Sequence, residues 1–142
     1  MEVSKLMSPN VITIAPDESA ALAARLLSRH NIGVLPVCSD GGRLRGVVTD
    51  RDIVLRCVAA EENPAEVPVS SIMSKGVSTV SPSEDVRSAS HTMAQAQVRR
   101  LPVVERGRLV GMLSLGDLAA SQSCNMEASK ALSDISDVIR RL

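Results

Sequence analysis

The chain contains no phenylalanine, tyrosine or tryptophan. A purine site built from it cannot stack the base on a ring. It would have to clamp the base between aliphatic side chains and read its edge with backbone groups. Net charge is missing as well: across 142 residues, 16 Lys and Arg balance 16 Asp and Glu. A neutral chain has no general electrostatic pull on DNA, RNA or anionic lipid. Together with the missing aromatics, this argues against a nucleic-acid partner. No apolar run approaches the roughly 18 residues that span a bilayer, so no membrane-spanning helix is expected, and the neutral charge argues against a membrane partner. The opening Met1-Glu2-Val3-Ser4-Lys5-Leu6 has no long apolar stretch of the signal-peptide kind, so the expected location is cytoplasmic.

Catalytic and metal-binding signals are equally scarce. The three cysteines, Cys38, Cys57 and Cys124, are odd in number and include no C-x-x-C pair. Neither a disulfide framework nor a zinc knuckle is signalled, and they read as small hydrophobes. His30 and His91 are the only histidines. Neither has a Cys or Ser partner at a recognisable catalytic spacing. There is no G-x-x-x-x-G-K-[ST] and no H-E-x-x-H. The expectation is a protein that is not an enzyme, requires no cofactor and holds no metal.

What is present is an apolar fraction of 44%, enough for a core, and an internal repeat. Leu6-Met7-Ser8 matches Ile72-Met73-Ser74, and Val11-Ile12-Thr13-Ile14-Ala15-Pro16 matches Val77-Ser78-Thr79-Val80-Ser81-Pro82, both at an offset of 66. The offset holds through Leu35-Pro36-Val37 and Leu101-Pro102-Val103. After a one-residue deletion it becomes 65, aligning Gly42-Arg43-Leu44 with Gly107-Arg108-Leu109, Gly46 with Gly111, Thr49 with Ser114 and Asp52 with Asp117. The deletion falls in a Gly-rich turn, where length changes are tolerated.

Each copy predicts the same order of elements. A short β-branched strand, Ile12 to Ile14 or Ser78 to Val80, runs into a proline. Asp17 or Ser83 then stands where a helix N-cap belongs. An apolar stripe at i, i+3, i+7 marks the helix: Ala20, Ala23 and Leu27, or Val86, Ala89 and Met93. A hairpin follows, Val34 to Val37 with Leu44 to Val48, or Leu101 to Val104 with Leu109 to Leu113, turning on glycine. A second helix begins at Thr49 or Ser114. The expected class is α+β: two β-α-β-β-α repeats packed about a pseudo-twofold axis. The expected divisions are residues 1–60 (first repeat), 61–70 (linker), 71–122 (second repeat) and 123–142 (tail). From Met126 onward, Ala128, Ala131, Leu132, Ile135, Val138, Ile139 and Leu142 trace one face of a C-terminal amphipathic helix. Glu127 and Arg140-Arg141 suit its macrodipole.

Asn31-Ile32-Gly33-Val34-Leu35-Pro36-Val37 with Gly46-Val47-Val48-Thr49-Asp50-Arg51-Asp52-Ile53 resembles a CBS-domain signature. Val98-Arg99-Arg100-Leu101-Pro102-Val103 with Gly111-Met112-Leu113-Ser114-Leu115-Gly116-Asp117-Leu118 resembles a second. Together they resemble a Bateman module over roughly residues 3 to 122, in the manner of small stand-alone bacterial proteins made of one such pair. The resemblance implies a regulatory or sensor module. It would take AMP, ADP, ATP, NAD or S-adenosylmethionine in two clefts between the repeats, pair with a second copy as a homodimer, and signal to a regulated protein partner. The alternative is a structural or protein-interaction module whose pockets are idle.

The candidate residues follow from that pattern. Thr49-x-x-Asp52 and Ser114-x-x-Asp117 stand at strand-to-helix junctions. A carboxylate there can accept both hydroxyls of a ribose, and the Thr or Ser hydroxyl with free first-turn N–H groups suits a phosphate. The same spacing also reads as a capping box, and the two roles can coexist. Arg99 and Arg100, just before Leu101-Pro102, resemble the phosphate-contacting basic residues of the nucleotide-sensing subunit of AMP-activated protein kinase. The equivalent stretch of the first repeat is Gly33-Val34, so unequal sites are expected. A solvated pair of charges is the plain reading of the arginines. Gly33, Val34 and Pro36 resemble the strand that lines adenine. Pro36 and Pro102 lack a donor, which marks an edge or an interrupted ladder. Thr13 and Thr79 hold positions that face ligand in such modules, and also simply suit a strand.

Overall fold

The computed structural model describes residues 1–121 and 130–135. The chain divides into two compact units: Ile12–Val77, and Met1–Val11 with Ser78–Leu142. The first is called here the first-repeat unit and the other the second-repeat unit.

In the first-repeat unit, α1 (Ala20–His30) leads to a hairpin of β1 (Val34–Ser39) and β2 (Arg43–Thr49). A short helix α2 (Asp50–Ile53) continues as one π-helical turn over Val54–Val58, and α3 spans Val69–Ile72. The second-repeat unit opens with a 3₁₀ turn, Val3–Lys5, and contains α4 (Val86–Ala96), β3 (Arg100–Glu105), β4 (Arg108–Ser114) and α5 (Leu115–Ala120). The mixture of helices with antiparallel hairpins is the α+β class expected.

The turn residues explain the hairpins. Gly41 and Gly42 have φ of 76° and 78°, and Arg106-Gly107 have φ of 54° and 80°, conformations that glycine adopts without a Cβ penalty. Leu35, Val37 and Val48 turn into the core of the first-repeat unit with Ala20, Ala23, Leu27 and Ile53. Leu101, Val103 and Leu113 do the same in the other unit with Val86, Ala89, Met93 and Leu118. These are the apolar stripes of the sequence. Each helix ends on a left-handed residue, Asn31 after α1 (φ 51°) and Gln97 after α4 (φ 56°). The amides of Ile32 and Val98 then close onto the carbonyls of Leu27 and Met93, the geometry of a Schellman-type cap.

Two local expectations are corrected. Ile12 to Ile14 and Ser78 to Val80 are not strands. Each makes a single parallel bridge, Ile14 to Val37 and Val80 to Val103, because the chain turns at Pro16 or Pro82 before a ladder can extend. The N-caps are Ser19 and Asp85, two residues after Asp17 and Ser83. Ser19 Oγ accepts from the Leu22 amide and Asp85 from that of Arg87. The intervening residues form tight turns, Glu18 N–H to Ala15 O and Glu84 N–H to Ser81 O.

The folded units do not coincide with the sequence repeats. Val3 is fully buried among Val80, Val86 and Leu101 of the second repeat. Its matching residue, Val69, is fully buried among Ile14, Ala20 and Leu35 of the first. The backbone repeats the exchange: Val3 N–H donates to Glu84 O and Ser4 N–H to Pro82 O, while Val69 N–H donates to Glu18 O and Ser70 N–H to Pro16 O. Each leading segment completes the unit of the other copy. The stretch expected as a linker, 61–70, therefore enters the first-repeat unit.

Of the tail, residues 130–135 are helical, with Ala131 and Ile135 buried. Ala131 joins the core of the second-repeat unit, so this turn of helix covers that core. Leu132 of the expected apolar face is exposed. Glu127, Arg140 and Arg141, like Cys124, lie outside the described residues. Among those residues, no helix is long and apolar enough to cross a membrane.

Candidate functional site

Each unit brings its candidate residues to one strand-to-helix junction. In the first-repeat unit, Val34 pairs with Thr49 across β1 and β2, and Gly33 O accepts from the Asp50 amide at 3.4 Å. In the second-repeat unit, Arg100 pairs with Ser114 across β3 and β4, and Arg99 O accepts from the Leu115 amide at 2.7 Å. Gly33, Val34, Thr49 and Asp52 are thus neighbours at one junction. Arg99, Arg100, Ser114 and Asp117 are neighbours at the other.

Both capping boxes are made. Thr49 Oγ1 accepts from the Asp52 amide and Asp52 Oδ2 from the Thr49 amide, at 3.1 and 3.0 Å. Ser114 and Asp117 repeat this at 3.0 and 2.9 Å. The capping role read from the spacing is therefore real in both copies. It uses one oxygen of each carboxylate and leaves the other for a further partner.

Beyond the box the copies diverge. Asp52 is buried, and Ser74 Oγ donates to its Oδ1 at 3.1 Å and lies 3.4 Å from Oδ2. Arg56 Nη1 stands 3.8 Å from Oδ1. It also donates to the carbonyls of Ile72 and Met73, at 3.0 and 3.2 Å, tying down the segment that carries Ser74. The π-helical turn carries Arg56. Asp117 is half-buried. Among the described residues its Oδ1 has no partner, and Ser8, the match of Ser74, donates instead to Asn10 O at 3.4 Å. The first-turn amides differ too. The Arg51 amide is taken by Asp50 Oδ1 at 2.9 Å, whereas its match, the Gly116 amide, has no partner among the described residues. Arg99 and Arg100 are exposed. Among the described residues, the second-repeat junction therefore keeps an acceptor oxygen and a backbone donor without partners, with Arg99 and Arg100 exposed at the start of the strand that pairs with Ser114.

The other candidates are placed as follows. Thr13 and Thr79 are exposed, each one residue before its single-residue bridge. Pro36 and Pro102 are buried. Their carbonyls accept from the Ile14 and Val80 amides, so their donor-less nitrogens face the side where only one residue pairs. The β1–β2 and β3–β4 ladders lose nothing, as the edge reading required. Leu101 is fully buried in the core, so only its backbone could meet a ligand. Burial raises the Cys38 thiol pKa above its ordinary value, which disfavours the thiolate. Among the described residues, no group of three or more His, Cys, Asp or Glu is placed to hold a metal.

Three residues that matter were missed in the sequence. Gly46 and Gly111 aligned, but only the structure shows why: a Cβ on Gly46 would lie 2.5 Å from Ser74 O, and one on Gly111 2.8 Å from Ser8 O. Glycine lets the segments ending in Ser74 and Ser8 bridge to β2 and β4. Ser74 belongs to the Met-Ser pair that helped establish the repeat, but a serine there carries no signal of an aspartate partner 22 positions away.

The comparisons with known proteins agree with this architecture. The CBS-domain family model matches residues 3–58 and 69–123. The chain is 42% identical over 134 residues to the CBS domain-containing protein YhcV of Bacillus subtilis, covering 94% of each. Among solved structures, Hypoxic Response Protein I with two coordinated zinc ions superposes at a TM-score of 0.78, with 32% identity over 84% of this chain and 98% of that one. The CBS domain protein PAE2072 of Pyrobaculum aerophilum, complexed with AMP, gives 0.77 with 25% identity, over 92% and 99%. The CBS domain pair of protein MJ0100, in complex with 5-methylthioadenosine and S-adenosyl-L-methionine, gives 0.73 with 28% identity, over 84% and 94%. With both family matches falling on the two repeats and their Thr/Ser-x-x-Asp junctions, the chain belongs to the CBS-domain family, as a small protein built around a tandem pair.

Proposed function

We propose that this protein is a non-catalytic regulatory module that binds an adenosyl ligand, AMP or S-adenosylmethionine foremost, at the Ser114–Asp117 junction. The observation that carries the reading is the Asp117 oxygen that has no partner among the described residues, at the junction where Arg100 pairs with Ser114 and Arg99 with Leu115 through their backbones. A ribose offers two adjacent hydroxyls to that carboxylate. The arginines offer charge to a phosphate, or to the carboxylate of a methionyl group. With no aromatic residue in the chain, the base would rest on aliphatic side chains and backbone. Solved relatives with AMP, and with S-adenosylmethionine and methylthioadenosine, support the ligand class. For regulation, the ligand must bind two states of the module unequally, and a partner protein must read the difference.

The test is thermal unfolding followed by circular dichroism, with AMP, S-adenosylmethionine and guanosine monophosphate. A ligand at about a hundred times its dissociation constant adds about 2.7 kcal/mol, enough to raise the midpoint by several degrees. A rise with an adenosyl ligand and none with the guanine control supports the reading. No rise with any, in protein free of co-purified nucleotide, refutes it.

A second reading is favoured by one observation. Val54, Leu55 and Val58 are half or more exposed on the helix after β2, at 54%, 50% and 59%. Their matches in the second repeat begin with the much smaller Ala119 and Ala120. An interaction module would use this patch, its partner being a second copy of the chain, with the two patches meeting across a twofold axis. Sedimentation of the Val54→Glu, Leu55→Glu double variant as a monomer, against a wild-type dimer, would establish that role. Unchanged sedimentation would remove it.

A further inference from the structure

We propose that Ser74 determines which repeat accepts ligand, by holding the Asp52 carboxylate in the hydrogen-bonded state a ribose would otherwise create. The proposal rests on the nucleotide reading and adds a rule of occupancy to it. The Ser74 hydroxyl donates to Asp52 Oδ1 at 3.1 Å with Oδ2 3.4 Å away, so it uses the acceptor that a ribose hydroxyl would need. The capping amide of Thr49 takes Oδ2, and the Arg56 guanidinium lies beside Oδ1. An incoming diol therefore finds both oxygens engaged on a buried residue.

The latch is anchored from three sides. Arg56 donates to the carbonyls of Ile72 and Met73. Ser74 is paired through its own backbone to Val47, N–H to O at 2.8 Å and O to N–H at 3.0 Å. Gly46 leaves the space for that approach. In the second repeat the backbone arrangement is retained: Ser8 pairs with Met112 at 2.8 and 2.9 Å, beside Gly111. The latch itself is not. Ser8 donates to Asn10 O, and Ser121 stands where the alignment would put a second arginine. Ser74 thus makes the first site conditional and leaves the second constitutive. A ligand reaches Asp52 only by displacing the serine.

Titration calorimetry of the full chain with AMP tests this. Wild type is expected to bind one AMP per chain, and Asp117→Ala to lose it. Ser74→Ala placed on Asp117→Ala is expected to recover binding at least about ten-fold over Asp117→Ala alone, the scale of one charge-assisted hydrogen bond no longer competing. Ser74→Thr on the same background keeps the hydroxyl and is expected to recover none. A cooperative melt of each variant by circular dichroism verifies that it is folded. Two equal sites in wild type, or no recovery in a folded Ser74→Ala, Asp117→Ala protein, overturns the latch and leaves the nucleotide reading standing. No AMP binding by wild type or by Ser74→Ala overturns both.

Discussion

The two units share one plan and use it differently. The centres of their cores match: Leu35 with Leu101, Val37 with Val103, Val48 with Leu113, Val3 with Val69. Their capping boxes match to within 0.1 Å. The difference begins one shell outward, where Ser74 and Arg56 close on Asp52 while Asp117 has, among the described residues, no partner beyond its capping box. Duplicated packing preserves the scaffold. The few polar side chains that packing does not dictate are free to give one junction an internal partner and to leave the other's second carboxylate oxygen without one among the described residues.

If the cores are equivalent, Leu35→Ala and Leu101→Ala should each cost about 2–5 kcal/mol, the range for truncating a buried leucine. Denaturant unfolding would reveal a difference between them of more than about 1.5 kcal/mol, and so refute equivalence. The ligand response should be unequal. In melts with saturating AMP, Asp117→Ala should lose the stabilisation of about 2.7 kcal/mol, and Asp52→Ala should keep it. Loss in both would show two working sites.

Without ligand the order should reverse. Asp52→Ala removes the acceptor of Ser74 and of the Thr49 amide and should cost about 1–3 kcal/mol. Asp117→Ala breaks only its capping box and should cost about 1 kcal/mol or less. Equal losses by urea unfolding would mean that Ser74 and Arg56 contribute nothing to the apo protein.

The smallest contrast is in acid. Asp85 caps α4, and its pKa lies below the usual carboxylate value, chiefly because its side chain accepts from the Arg87 amide; the terminal amine adds to the effect. A lowered folded-state pKa stabilises above the unfolded value, and that stability is lost as pH falls through the folded pKa. The matching cap in the other unit, Ser19, has no charge to lose. Hydrogen exchange at decreasing pH should therefore show α4 loosening before α1, and Asp85→Ser should abolish the difference.

Much of this was legible in the sequence. The offset of 66 gave the repeat, and the stripe Ala20, Ala23, Leu27 gave α1 because a helix face recurs every three to four residues. Thr49-x-x-Asp52 showed both a cap and a candidate ribose acceptor because the two uses need the same residues. Arg99-Arg100 set against Gly33-Val34 gave the expectation of unequal sites, because only one copy carries cations at the start of its hairpin. The first strands were over-read. β-Branched residues such as Ile12 and Ile14 favour strand, but a strand needs a partner over several residues, and here only one pairs. The N-caps were placed two residues early because Asp17 and Ser83 have cap chemistry too, and only the turns at Glu18 and Glu84 move the start to Ser19 and Asp85.

Residue types and their spacing alone determined the duplicated α+β plan, its cores and its capping boxes, because periodicity and capping act between residues close in the chain. Tertiary structure decided which leading segment completes which unit, and that Ser74 rather than Ser8 meets an aspartate. Those pairings join residues far apart in sequence, and a serine carries the same hydroxyl whether its partner is a carboxylate or a nearby carbonyl.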